Sequence, residues 1–247
     1  MSKQMLNEAT FAPANVAKVT EGRAVARTMS YGGTIAKSLF LLIIAIGFAM
    51  VGWRSAASVV ASSGLWFFLG YMLLIAVTVW SVANPRAAAF AGLLYAVLMG
   101  LWMGAISRIY EAYYDGIVGQ AIVASFAVFL ACLFLYSIRA IRVTGRFVRF
   151  VLISTVAIAL AYGFAWFLSI FGIRLNFLYD GSSLGIGVGL FIVLIAAFNL
   201  ILDFAVIERG VNAGAPKEME WYAAYGLLST LVWLYLEVLY LLARTQR

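Results

Sequence analysis

Seven apolar blocks, separated by short stretches that hold most of the charged residues, are the feature that most constrains this chain. A transmembrane helix needs about 20 predominantly apolar residues, and five of the blocks reach that length, while the first is short and a glutamate interrupts the last. Residues Tyr31–Ala36 can extend the first block. We therefore predict helices over Ser38–Trp53, Gly64–Ala83, Ala88–Ser107, Ile117–Ile138, Phe150–Gly172, Leu184–Ala205 and Ala223–Ala243.

The composition supports an integral membrane protein. Of the 247 residues, 65% are hydrophobic and 11% are charged, whereas soluble domains carry about 25% charged residues. So little polar surface cannot cover a water-soluble globule. We predict an all-α seven-helix transmembrane domain over residues 31–247, preceded by a flexible cytoplasmic N-terminal tail, residues 1–30.

The charge and the residue types present argue against several functions. The net charge is +7. Basic residues in helical membrane proteins mostly mark loops on the cytoplasmic side, so we do not expect nucleic-acid binding. There is no histidine, which excludes imidazole metal sites and histidine-based catalysis. No nucleophile–base pair is evident either, so we expect neither an enzyme nor a cofactor.

The distribution of lysine and arginine predicts the orientation. With the N-terminus inside, 12 of the 17 basic residues fall on inner segments, as the positive-inside rule favours. Arg244 and Arg247 do not fit, because a last helix that crosses the membrane places them outside. A last helix that is only partly inserted would return both to the inner side. We predict a multi-pass protein of the inner (plasma) membrane with a cytoplasmic N-terminus.

Two of the ten acidic residues, Asp203 and Glu237, lie within apolar blocks. An ionisable residue in a membrane segment costs about 2.5–3.5 kcal/mol on insertion scales and marks a functional site by default. The alternatives are that Asp203 is solvated among the headgroups and that Glu237 lies at the outer interface. Asn199, four residues before Asp203, shares its helix face and is a candidate supporting residue.

Whether the two acids can meet depends on where the last helix begins. If it begins at Met219, Glu237 lies 18 residues further on, or roughly 27 Å along the axis, and the two acids cannot touch. They can meet only if much of Ile207–Gly226 lies near the inner interface and the inserting helix begins later. Glu220 and its aromatic neighbours suit such an interfacial segment.

If the two acids meet, the chemistry available to them is limited. Two adjacent carboxylates cannot both ionise cheaply, so the pair would share a proton or hold a hard cation such as Ca²⁺. Protons and the cation would then compete, which predicts a pH-sensitive ion site formed by Asp203 and Glu237.

Other motifs have structural interpretations. The GxxxG pairs Gly100/Gly104 and Gly185/Gly189 predict close helix packing. Four arginines between the fourth and fifth blocks predict contacts with anionic lipids; they are Arg139, Arg142, Arg146 and Arg149.

The chain resembles the bacterial branch of the Bax inhibitor-1 family over roughly Tyr31 to Arg244. The similarity lies in Ile201-Leu202-Asp203-Phe204, in Leu234-Tyr235-Leu236-Glu237-Val238-Leu239, in the seven-span layout and in the basic linker after the fourth span. The second acid is glutamate where the family pattern has aspartate, and the linker between the two acids is longer than in the compact family form.

The resemblance implies six helices wrapped around a central, partly inserted seventh. It also implies a Ca²⁺ leak pathway gated by a pair of acids, which match Asp203 and Glu237 here. Relatives latch the sixth-helix acid with an arginine at the end of the second helix, and Arg86 is the basic residue of that region.

We therefore expect a pH-sensitive calcium leak channel or exchanger. The alternative is a membrane-embedded regulator that uses its polar tail to bind another membrane protein, such as a quality-control protease.

Overall fold

The structure, a computed structural model, describes residues 28–56, 70, 72–80, 84, 87–172 and 181–246. Within these residues it contains seven helices and no β-strand, and six of the helices are long and apolar enough to cross a membrane. The helices are α1 (Tyr31–Arg54), α2 (described over residues 72–80), α3 (Ala88–Tyr113), α4 (Ile117–Ser137), α5 (Gly145–Ile170), α6 (Ser183–Asn212) and α7 (Met219–Thr245). The predicted all-α, seven-helix fold is confirmed.

Several helices extend beyond the apolar blocks that predicted them. Helix α5 begins at Gly145, before two arginines, and α6 continues through Glu208 and Arg209. An apolar block marks only the part of a helix that lies in the hydrocarbon layer. The helix itself can continue into polar sequence until its end groups find other hydrogen-bond partners. Thr144 provides such a cap at the start of α5, where its side chain accepts a hydrogen bond from the Phe147 backbone N–H.

Helix α7 is the central element of the bundle. It packs against α1, α3, α4 and α6, and it contributes residues to both of the larger hydrophobic clusters. Helices α1, α4 and α5 instead expose large apolar side chains such as Ile43, Val123 and Ile153, as expected of surfaces that face lipid. The predicted central position of the last helix is therefore confirmed.

Helix α7 also begins earlier than a late-inserting helix would. It is continuous from Met219, and Glu220, Ala224 and Tyr225 are already buried in its first two turns. The last helix therefore begins at Met219 rather than after Gly226, while the position of Ile207–Gly226 relative to the membrane surface stays a prediction. A short turn between Asn212 and Met219 is enough to reverse the chain, so α6 and α7 form an antiparallel pair.

The short connections place helix ends on two faces of the bundle. We call the end that holds the start of α1 and the α6–α7 turn the tail-side face; there the Met29 N–H donates to the Ala215 carbonyl oxygen at 2.8 Å. The far face is the opposite end, where the Arg108 guanidinium lies 5.5 Å from the Trp53 ring centroid. Residues 1–27 lie outside the described part, so the predicted tail stays a prediction.

The first GxxxG pair packs as predicted. A Cβ on Gly100 or Gly104 would overlap the carbonyl oxygen of Ala45 or Ala49 in α1. Because these glycines carry no side chain, the backbones of α1 and α3 approach each other directly.

Candidate functional site

Asp203 lies on α6 and faces α7. Its Oδ1 atom is 3.8 Å from the position that a Cβ on Gly226 would occupy, and its carboxyl group interacts with the Thr230 hydroxyl. Its Oδ2 atom is buried and has no hydrogen-bond partner among the described residues. The residue is nine positions before the end of α6, or roughly 13 Å inside the tail-side end of that helix. The Oδ2 atom is therefore covered by the bundle, while the side chain as a whole is half-buried.

A cavity of about 400 Å³ adjoins this carboxyl group. Its lining comes from α2, α3, α6 and α7 and combines the acid with hydroxyl-bearing and apolar residues, which are Thr78, Tyr95, Asp203, Val206, Tyr222, Ala223, Tyr225, Gly226 and Ser229. The Thr78 Oγ1 and the Tyr225 hydroxyl are hydrogen bonded at 2.7 Å, which ties α2 to α7 across the cavity. Of the described residues that line this cavity, Asp203 is the one acid.

Glu237 lies further along α7 in a different environment. It is 3% exposed, and it accepts hydrogen bonds from the Tyr162 hydroxyl at 3.0 Å and from the Trp233 Nε1–H at 3.1 Å. Glu237 forms no ion pair with any of the described residues. Glu237 is a buried acid that faces the bundle interior, and both of its oxygens are hydrogen bonded.

The structure does not bring Asp203 and Glu237 together. Asp203 faces α7 between Gly226 and Thr230, and Glu237 follows seven residues after Thr230, roughly 10 Å further along the helix. The two carboxyl groups share no hydrogen-bond partner among the described residues. The physical reason is the start of α7 at Met219, which fixes the register of the α6–α7 pair.

The two candidate supporting residues have different outcomes. The Asn199 Nδ2 donates to the Thr155 hydroxyl at 2.8 Å and to the Ile195 carbonyl oxygen at 2.9 Å. Asn199 thus joins α6 to α5, while Asp203 faces α7. Arg86 lies outside the described residues, so its predicted role as a latch stays a prediction.

The chemistry of the Asp203 site suits a weakly held cation. Carboxylate and hydroxyl oxygens are ligands that hard cations prefer. Within the described residues, however, no group of three or more acidic, cysteine or histidine side chains could hold a metal ion, and no lysine or arginine forms an ion pair with Asp203. One carboxylate with hydroxyl neighbours can bind a cation briefly, but it lacks the charge of a storage site.

Sequence reasoning misses two buried charged residues. It assigns Glu220 to the interface, but this residue is fully buried and accepts hydrogen bonds from Lys37 and Ser30. It counts Arg244 as a surface cation, but this residue is 5% exposed and donates to the Gly185 carbonyl oxygen. Trp233 could have been found, since it lies four residues before Glu237 on the same helix face.

A helical bundle that encloses carboxyl groups within membrane-spanning helices defines a polytopic membrane protein with a charged interior. The chain matches the family model described as Bax inhibitor 1 like over residues 4–247. It therefore belongs to the Bax inhibitor 1 like family, as the sequence motifs predicted. No match was found among curated proteins or among solved structures.

Proposed function

We propose that this protein conducts cations, with Ca²⁺ as the principal candidate, and that Asp203 is the acid that binds the cation in transit. The observation that carries the proposal is the buried Oδ2 atom of Asp203, which lies beside a cavity and has no hydrogen-bond partner in the described part of the chain. An ionisable group inside a membrane protein is costly and is kept where it serves a pathway. Asp203 and Glu237 then act at two separate positions along the bundle axis rather than as one shared site.

The composition of the cavity favours passage over storage. Dedicated Ca²⁺ sites use six to eight oxygen ligands with several carboxylates, whereas this cavity offers one carboxylate from the described residues together with the hydroxyl groups of Thr78, Ser229 and the tyrosines. A volume of about 400 Å³ leaves room for water, which would supply the remaining ligands. Binding is then weak enough for release.

Replacing Asp203 by asparagine tests the proposal. We expect Asp203→Asn to lower Ca²⁺ flux into proteoliposomes by at least about tenfold, equivalent to a loss of about 1.4 kcal/mol in cation binding. A carboxylate cannot hold a proton and a cation at once, so acidification should also lower the flux of the wild-type protein but not the residual flux of the variant.

Asp115→Asn is the matched control, because it makes the same change at an exposed residue of the α3–α4 loop. Its flux and pH response should equal those of the wild-type protein. If Asp203→Asn leaves both the flux and its pH response unchanged, Asp203 is not the transport site.

The charge distribution supports a cytoplasmic tail-side face. Seven of the ten described lysines and arginines lie toward that face, as the positive-inside rule requires for a cytoplasmic side. Our proposal is therefore an inner (plasma) membrane protein with this orientation. The charges of the α4–α5 connection belong to the same face.

We further propose that the α4–α5 connection binds anionic lipid headgroups. Arg139 and Arg142 lie in this connection, and Arg146 and Arg149 lie in the first turns of α5; all four are exposed, and none forms an ion pair among the described residues. Exposed apolar residues of α5, such as Phe150 and Ile153, follow directly along the helix and can contact the acyl chains. Basic clusters beside a membrane segment attract anionic lipid in this way.

Replacing the four arginines Arg139, Arg142, Arg146 and Arg149 by glutamine is expected to remove the preference for anionic lipid. Protein purified from mixed neutral and anionic bilayers would retain fewer anionic lipids, as counted by native mass spectrometry. Arg54→Gln, at an exposed residue at the end of α1 on the far face, is the control and should retain the wild-type number. Equal retention by the quadruple variant would contradict the lipid site.

A further inference from the structure

Arg244, in the last turn of α7, is buried although it is close to the end of the chain. Its side chain is 5% exposed, and its Nη1 donates to the Gly185 carbonyl oxygen at 3.0 Å. One neutral acceptor does not compensate a buried guanidinium, because a buried charge needs an opposite charge or several hydrogen bonds. The environment of Arg244 should therefore contain an acid.

That acid is Glu237, seven residues earlier on the same helix. Positions seven apart lie on one face of a helix, and long side chains point back toward the N-terminus, so the guanidinium extends toward the glutamate. The Tyr162 hydroxyl lies between the two groups: it donates to Glu237 Oε2 at 3.0 Å and also interacts with Arg244. Arg244 and Glu237 form no direct ion pair within 4 Å, so Tyr162 is the group that links the two charges.

The second GxxxG pair makes room for the guanidinium. A Cβ on Gly189 would lie 2.5 Å from Arg244 Nη1, and the carbonyl of Gly185 is the hydrogen-bond acceptor. The sequence motif predicts helix packing alone for these glycines. In the structure they also form the pocket that holds a charged side chain between α6 and α7.

We propose that Arg244 is the internal counter-cation of Glu237, positioned through Tyr162, and that this pair closes the far end of the pathway. Glu237 is then occupied by the protein's own cation, while Asp203 remains available to a transported one. Under the proposed transport, a cation that leaves Asp203 along α7 toward the far face would meet Glu237 next and would compete with the guanidinium for it. The closure rests on the proposed cation transport, whereas the pairing of the two residues does not.

A double-mutant cycle on thermal unfolding in detergent tests the pairing. Arg244→Gln leaves a buried glutamate without its counter-charge, and we expect the unfolding temperature to fall by about 5 °C or more. Adding Glu237→Gln should recover more than half of that fall. Arg54→Gln, an exposed arginine at the end of α1, is the matched control and should unfold at the wild-type temperature.

Two further variants keep the test decisive if Arg244→Gln does not fold. Arg244→Lys keeps the charge and should unfold closer to the wild-type temperature than Arg244→Gln. Gly189→Ala displaces the guanidinium and should lower the unfolding temperature of the wild-type protein, but not that of the Arg244→Gln/Glu237→Gln double variant. If the effects of the Arg244 and Glu237 substitutions on the unfolding temperature are additive, the pairing is overturned. This outcome does not depend on any measurement of Ca²⁺ flux.

Ca²⁺ flux into proteoliposomes tests the closure. Removal of the guanidinium should raise flux several-fold in Arg244→Gln, and adding Asp203→Asn should abolish the increase. Unchanged or lower flux in Arg244→Gln, with the unfolding coupling intact, would overturn the closure. Absence of flux in every variant would overturn the proposed function and the closure with it, and the unfolding cycle would still decide the pairing.

Discussion

Replacing Lys37 by methionine is expected to lower the free energy of unfolding by about 1–3 kcal/mol, the cost of leaving a covered acceptor without its charged donor. The Lys37 Nζ lies 2.5 Å from Glu220 Oε2, and Glu220 is fully buried. The backbone N–H and the hydroxyl of Ser30 each donate to Glu220 Oε1 at 3.0 Å. Methionine fills a similar volume, so the loss would report the missing charge rather than a cavity.

The reverse substitution should cost less. Lys37 keeps 18% of its side chain exposed, so in Glu220→Gln its ammonium group can extend to the headgroups. We therefore expect a smaller loss for Glu220→Gln than for Lys37→Met, and recovery when the two are combined. Unfolding in detergent, followed by tryptophan fluorescence, gives the comparison.

Lys217→Met is the matched control for this prediction. It makes the same change at a lysine of the α6–α7 turn that forms no ion pair among the described residues. Its stability should be close to that of the wild-type protein. Equal losses for Lys37→Met and Lys217→Met would show that the ion pair with Glu220 does not stabilise the fold.

Replacing Gly104 by leucine is expected to separate α1 from α3. A Cβ at this position would overlap the Ala49 carbonyl oxygen, and the backbone of α1 cannot yield as a flexible side chain can. Overpacking at such a contact costs about 3 kcal/mol. The same measurement of unfolding would detect the loss.

Gly47→Leu provides the comparison within the same helix pair. Gly47 also lies in a helix, but none of the described residues comes within 4 Å of the position that a Cβ would occupy there. Leucine is a better helix former than glycine, so this variant should be as stable as the wild-type protein or slightly more stable. A similar loss for both variants would mean that a general intolerance of leucine in these helices, rather than the α1–α3 contact, explains the Gly104 result.

The candidate site was predicted from the sequence in part. Asp203 and Glu237 stand out because each interrupts a long apolar run, and both are enclosed by the bundle. Their separation was not predicted, because it depends on the register of α6 against α7. The residues around the α6–α7 turn are polar enough to suit an interfacial segment, and only the burial of Glu220 against α1 shows that the helix has already begun.

Arg244 illustrates the same limit. A basic residue near the end of a chain is normally a surface charge, and the sequence around it suggests nothing else. Its burial follows from two glycines of α6, about sixty residues earlier, which leave space where α7 passes. No local pattern contains that information, because the contact joins residues far apart in the chain.

The sequence by itself determined the membrane location, the all-α class and the identity of the two enclosed acids. These follow from hydrophobicity, which is local and is dictated by the solvent that each segment must face. Only the tertiary structure decided what surrounds each buried acid: Lys37 and Ser30 around Glu220, Tyr162 and Trp233 around Glu237, and a cavity beside Asp203. Pairing depends on helix register and on close packing between distant segments, and an apolar sequence permits several registers until the helices pack.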